Sequence, residues 1–186
     1  STFDVYKCID NDGNTASTTE PTGNKSTSVF STADGYKWKY MYSLTSAEQA
    51  NFLSTDFMHV STESTDYSTT AGAIENAFVT AGGSSGTNGT YTSVAIRGDG
   101  SSGACTVVVS GNAVTSVTVT TAGSGYTYAS VLASDIGGTS GADIDFIISP
   151  PGGHGSDCIA ELGGFFVMTN VDFATSESGE FNTSND

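Results

Sequence analysis

With 186 residues the chain is long enough to bury a core, yet only 13% of it is charged and its polarity comes from Ser, Thr, Gly and Asn. Twenty acidic residues against five basic ones (Lys7, Lys25, Lys37, Lys39 and Arg97) give a net charge of −15, which argues against nucleic acid or an anionic membrane surface as a partner, since both demand a basic face. No apolar run approaches a membrane span, and Cys8, Cys105 and Cys158, odd in number and without Cys-x-x-Cys spacing, read as free thiols of a reducing compartment rather than disulfide or zinc ligands.

The chain opens without Met, already in an extended pattern at Phe3-Asp4-Val5-Tyr6-Lys7-Cys8-Ile9 and with no signal-peptide pattern before it; it reads as a piece of a larger protein. Asp10-Asn11-Asp12-Gly13-Asn14 breaks this strand. An EF-hand loop would put Gly sixth and Glu twelfth, whereas Gly13 stands fourth, so a turn is expected. Residues 15–28, with Pro21 and Gly23, read as a polar surface loop. After Ala33-Asp34-Gly35 comes a stretch whose alternation puts Tyr36, Trp38, Tyr40 and Tyr42 on one strand face and Lys37, Lys39 and Met41 on the other. Such a stripe is either a buried strand face or a sugar-stacking platform. The buried reading is expected here, with Trp38 packed against a later apolar strand at Phe165-Phe166-Val167-Met168. Thr45-Ser46-Ala47-Glu48 is a capping box that opens a short helix through Phe52-Leu53. Asp56-Phe57-Met58-His59-Val60 reads as extended, and residues 61–70 as a polar linker.

From residue 78 to 148 one motif is written twice. The first copy runs Thr80-Ala81-Gly82-Gly83, then Tyr91-Thr92-Ser93-Val94, then Gly100-Ser101-Ser102-Gly103-Ala104 and an apolar run from Cys105 to Val109. The second runs Thr121-Ala122-Gly123-Ser124-Gly125, then Tyr126-Thr127-Tyr128-Ala129-Ser130-Val131, then Gly138-Thr139-Ser140-Gly141-Ala142 and an apolar run from Ile144 to Ile148. Corresponding points lie roughly 35 to 41 residues apart, a period that marks paired supersecondary units. Two copies are too few for a solenoid, so a compact β module of two similar halves is expected. Ser110-Gly111-Asn112 between two Val/Thr-rich runs is a hairpin signal, because Gly and Asn tolerate the positive φ of a tight turn. The glycines do not form a phosphate-binding loop, which would need a following Lys and helix.

Pro150-Pro151 ends the module, since two prolines cannot continue a central strand. Ser156 is the expected cap of a helix over residues 157–162, which Gly163-Gly164 ends. Residues 176–186 read as a polar loop. His154, flanked by glycines, is the natural starting point for acid/base chemistry, with Asp157 or Glu161 as partner in a polymer hydrolase. Such chemistry needs a nucleophile or carboxylate beside the ring, and His59 is distant in sequence. A turn residue bonded to backbone is expected instead. Asp143 and Asp145 alternate with Ile144 and Phe146 and read as solvated outer-face positions rather than a cation site. No catalytic, cofactor-binding or metal-ligating residue is assigned.

Tyr6-Lys7-Cys8-Ile9-Asp10, the gap, then Asp34-Gly35-Tyr36-Lys37-Trp38-Lys39-Tyr40-Met41-Tyr42 resembles the "Y-R-C-L-D … D-G-Y-x-W-x-Y-L" pattern of baseplate wedge proteins of T-even-like contractile-tailed phages, in their marine cyanophage version. Residues 51–60 resemble the family phrase "N-F-L-S-T-D-F-M-P-V", with His59 in place of Pro. His154-Gly155, Glu161-Leu162-Gly163 and Val167-Met168-Thr169-Asn170 resemble the segment that follows a Gly-rich insertion in such proteins. The resemblance implies a mainly β fold of antiparallel sheets with one or two short helices. Residues 1–70 would be the first part of the wedge core, 71–149 an inserted Gly-rich β-repeat domain, and 150–186 a truncated return to the core. It also implies a non-enzymatic scaffold of the virion tail baseplate, assembled in the host cytoplasm. Its partners would be other wedge proteins and a second copy of itself, with neither cofactor, nucleic acid nor membrane. A carbohydrate-binding or adhesion module is the second class, and would expose Trp38, Tyr126 and Tyr128 as stacking platforms.

Overall fold

A computed structural model describes residues 3–22, 25, 28–60 and 70–169. Among these the chain is mainly β, with two short α-helices and strand ladders that are all antiparallel. The readings of residues 61–69 as linker and 176–186 as loop fall outside the described residues.

Strands β1 (Phe3–Asp10), β2 (Phe30–Ser31) and β3 (Lys37–Leu44) form one sheet in the order β1-β3-β2. Cys8 pairs with Trp38 and Tyr6 with Tyr40, but Val5 already pairs with Tyr42, so Met41 is an extra residue in the ladder. A bulge of this kind bends the strand and breaks its alternation. Met41, Tyr42 and Leu44 are therefore all buried, around Val5 and Cys158. Tyr40 and Phe30 instead meet Tyr6 edge-on at 5.8 and 5.9 Å.

Trp38 is only half-buried. It stacks on Tyr36 at 5.5 Å, and its indole N–H donates to Thr32 Oγ1 at 3.1 Å. The expected strand at Phe165-Phe166-Val167-Met168 does not form, and Phe165, Phe166 and Val167 are 87, 83 and 94% exposed. Hydrophobicity without a laddering neighbour does not make a strand, so Trp38 has no such surface to pack against. Residues 56–60, expected to be extended, also join no ladder; the His59 carbonyl is held instead by the Tyr42 hydroxyl at 2.6 Å. The capping box forms as read: Thr45 Oγ1 accepts from Glu48 N, and Glu48 accepts from Thr45 N at 2.7 Å, opening α1 (Ser46–Phe52).

The repeat region supplies β4 (Ile74–Ser84), β5 (Gly89–Ala95), β6 (Arg97–Gly98), β7 (Ala104–Ser110), β8 (Ala113–Thr121), β9 (Ala129–Ser130) and β10 (Ser140–Ile148). Its two copies exchange strands. The Thr-Ala-Gly strand of the first copy, β4, ladders with the apolar strand of the second, β10, placing Val79 opposite Ile144. The corresponding strand of the second copy, β8, ladders with β7 of the first, placing Val117 opposite Val107. The middle strands differ. β5 has seven residues and pairs with β7, whereas its counterpart β9 keeps two and pairs with β6. Both copies share one core that includes Ile74, Val94, Val107, Val114, Ile136 and Ile144.

The β7-β8 turn has Gly111 at φ 63° and Asn112 at φ 67°, the left-handed pair of a type I′ turn that matches strand twist. The repeated glycines have a second use. Tyr126 is 2% exposed; its hydroxyl donates to the Ile96 carbonyl and accepts from Gly103 N, each at 3.0 Å. A Cβ on Gly100 or Gly123 would enter the ring, so the bare backbone makes the Tyr126 pocket.

The two ends of the module run side by side. Ser149 N donates to Ala73 O at 2.8 Å, while Ser149 Oγ accepts from Ala73 N and donates to Thr70 O, both at 2.9 Å. Beyond it lies α2 (Cys158–Leu162), capped by Asp157, whose carboxylate accepts from Ala160 N at 3.0 Å, rather than by Ser156.

Candidate functional site

Where the first sheet, the start of the module and α2 converge, the chain buries a cluster of charge. Glu75 enters from β4, Glu161 from α2, Lys7 from β1 and Lys39 from β3, while His154 sits on the glycine-rich turn between β10 and α2. His154 Nε2 lies 2.5 Å from Glu75 Oε1, and its Nδ1 meets Glu161 Oε1. Glu161 Oε1 also accepts from Lys7 Nζ at 3.1 Å, and its Oε2 from Gly155 N at 3.1 Å. The His154 side chain is 1% exposed, Glu161 3% and Glu75 6%. Lys39 is fully buried within the electrostatic reach of both glutamates.

A ring with a carboxylate at each nitrogen needs a proton on both, because a neutral imidazole has one donor only. Burial alone would lower the His154 pKa; the bonds to Glu161 and Glu75 outweigh it and hold the pKa above its usual value. Burial would raise Glu161, but His154, Gly155 N and Lys7 bring its carboxyl down to about 2. For Lys39 burial dominates and lowers the amine from its ordinary value, against the pull of Glu75 and Glu161. Two carboxylates thus face two lysines and an imidazolium, so the charges are compensated within the cluster.

His154 therefore faces carboxylates at both ring nitrogens, and not the backbone partner expected of a turn residue. Glu161, weighed from the sequence as its partner, is one of them; Asp157 instead caps α2. Glu75 and Lys39 were not singled out. Their one sequence signal is a charge set among strand residues that are otherwise inward-facing. His59 lies elsewhere, beside Phe52 and 3.4 Å from Glu48. Asp143 and Asp145 are exposed on β10. Tyr128 is 61% exposed, but Tyr126 is core and Trp38 half-covered, so the three rings expected of a sugar platform do not present together. Among the described residues no group of three His, Cys, Asp or Glu side chains is placed to hold a metal ion. None of the three cysteines forms a disulfide, and burial pushes the Cys105 thiol up to about 11.

No family model, curated protein or solved structure matches the chain.

Proposed function

We propose that the chain is a structural component of a phage tail baseplate wedge, a scaffold that joins neighbouring baseplate subunits of the virion without catalysing a reaction. The observation that carries this reading is the two-part aromatic phrase that resembles the wedge family. Its halves, Tyr6 to Asp10 and Asp34 to Tyr42, are not separate motifs but adjacent strands, with Tyr6 opposite Tyr40 and Cys8 opposite Trp38. A phrase that pairs with itself in this way is a folding unit, which is what a family-wide scaffold would preserve. The buried charge cluster supports the same reading. Substrate cannot reach a ring that is 1% exposed, and the cluster's five groups tie together β1, β3, β4, the turn after β10 and α2.

Scaffolds bind through shape and free strand edges. β1 and β5 stand at the edges of their sheets among the described residues, and such edges are natural docking lines for neighbouring wedge subunits or a second copy. Co-expression with the wedge subunits of the phage that encodes the chain tests the proposal. A complex that co-elutes on size exclusion is expected, and is lost when outward residues of one edge strand are replaced by prolines that leave the circular dichroism unchanged. Elution of the chain alone in every such mixture refutes it.

A further inference from the structure

Next to the charge cluster lies a second constellation. Lys37, the first residue of β3, is the cross-strand partner of Asp10, the last residue of β1. Both side chains reach Asn76 on β4. Lys37 Nζ is 2.5 Å from Asn76 Oδ1, and Asn76 Nδ2 donates to Asp10 Oδ2 at 2.9 Å. Asn76 is 6% exposed, and its backbone is held opposite Ile147 in the β4-β10 ladder. Asp10 is aimed by its other oxygen, Oδ1, which accepts from Asp12 N at 3.0 Å. The orientation of the amide follows from donor chemistry: lysine only donates and an ionised carboxylate only accepts, so the carbonyl faces the amine and the NH₂ faces the acid.

An amine beside a carbonyl carbon, with a carboxyl group on the leaving nitrogen, is the arrangement for amide exchange. With a C=O bond of about 1.23 Å, Asn76 Cγ lies no more than about 3.7 Å from Lys37 Nζ, close to the distance of a near-attack pair. We propose that Lys37 and Asn76 form an intramolecular isopeptide bond, with Asp10 holding the departing amide nitrogen.

In the first step the Lys37 nitrogen attacks Asn76 Cγ through its lone pair. The Nζ–Cγ bond forms and the carbonyl electron pair moves onto Oδ1. A proton passes from Nζ to Nδ2, and Asp10 Oδ2, hydrogen-bonded to Nδ2 at 2.9 Å, steadies that nitrogen as it gains charge. Collapse of the tetrahedral centre then restores C=O and breaks the Cγ–Nδ2 bond, releasing ammonia. A primary amine and a primary amide become a secondary amide and ammonia. If Lys37 enters as ammonium, the extra proton leaves with the ammonia as an ammonium ion. Neither oxidant nor metal enters the balance. The bond would staple β3 to β4 across 39 positions of sequence, fastening the first sheet to the repeat module where the two meet.

The test is the intact mass of the purified full chain under denaturing conditions. A mass lower than that of the sequence by one ammonia is expected, together with a branched tryptic peptide joining the Lys37 and Asn76 segments. Lys37→Arg, which keeps the charge but cannot be acylated in this way, should restore the full mass and abolish the branched peptide. Asp10→Asn should leave the chain folded by circular dichroism and unlinked. A wild-type chain at full mass overturns the proposal and leaves a hydrogen-bonded contact only. So does an ammonia loss that survives Lys37→Arg, as succinimide formation at Asn88-Gly89 would. Linkage in Asp10→Asn as complete as in wild type would overturn the role given to Asp10.

Discussion

Replacing His154 by Ala removes a ring that contacts both buried glutamates. Glu161 would keep Lys7 and the Gly155 N–H, each at 3.1 Å. Glu75 would fare worse. Its Oε1 loses the imidazole, and its Oε2 is already buried without a hydrogen-bond partner among the described residues. Breaking a buried pair by deleting one partner costs about 3 to 5 kcal/mol. Because Lys39 remains nearby, the low end, about 3 kcal/mol, is expected, a large part of the roughly 5 to 15 kcal/mol that holds a domain together. Urea unfolding at unchanged m-value measures it. In a Glu75→Gln background the same substitution should cost about 1 to 3 kcal/mol less, as groups in one network couple. pH supplies a second readout. The stabilisation from His154, whose folded pKa is raised, is fully present below the ordinary imidazole value of 6.5 and is lost as pH rises through the folded value. That from Glu161, whose folded pKa is lowered, is present above 4.5 and is lost as pH falls through about 2. Lys39, lowered from 10.5 by burial, acts in the opposite sense at higher pH, so the alkaline fall is read as wild type minus His154→Ala. A loss below about 1 kcal/mol, or no coupling to Glu75, would refute the reasoning.

Three further substitutions test the local arguments. Tyr126→Phe strips the acceptor from the buried Gly103 N–H and should cost about 1 to 3 kcal/mol in urea unfolding with little change in circular dichroism. Thr45→Ala removes one half of the capping box; a cost of about 1 kcal/mol should appear as a melting temperature lower by about 2 to 4 °C. Asn112→Val forces a β-branched residue into φ 67° and should cost about 1 to 2 kcal/mol, whereas Thr115→Val on the exposed strand nearby should change stability by less than about 0.5 kcal/mol.

What the sequence made legible is what neighbouring residues decide between them. Gly111-Asn112 sets its own turn, and Thr45 reaches Glu48 within one helical turn, so both could be read without the fold. The Val/Thr runs on either side of the hairpin formed β7 and β8 for the same reason. The repeat was visible as well, yet its strand exchange was not, because identical phrases do not say whether a strand pairs within its copy or across copies. The alternation of Tyr36 to Tyr42 was misleading for a physical reason: the bulge at Met41 depends on how β1 lies against β3. The junction was hidden by distance, with His154 and Glu75 79 positions apart. Lys37 and Asn76 are separated by 39, and no local pattern links a strand-initial lysine to an asparagine in another sheet. Residues 165–168 failed in the opposite sense, as apolar composition alone names no laddering partner.

The scaffold reading, under which a contractile-tailed phage encodes the chain, is tested most directly by a reconstruction of that virion at a resolution where side chains can be traced. The account predicts this chain in the tail baseplate, with neighbouring subunits along the β1 or β5 edge and His154 enclosed between Glu75 and Glu161. Density that places it outside the baseplate, or His154 opened to solvent against a bound glycan, would contradict it.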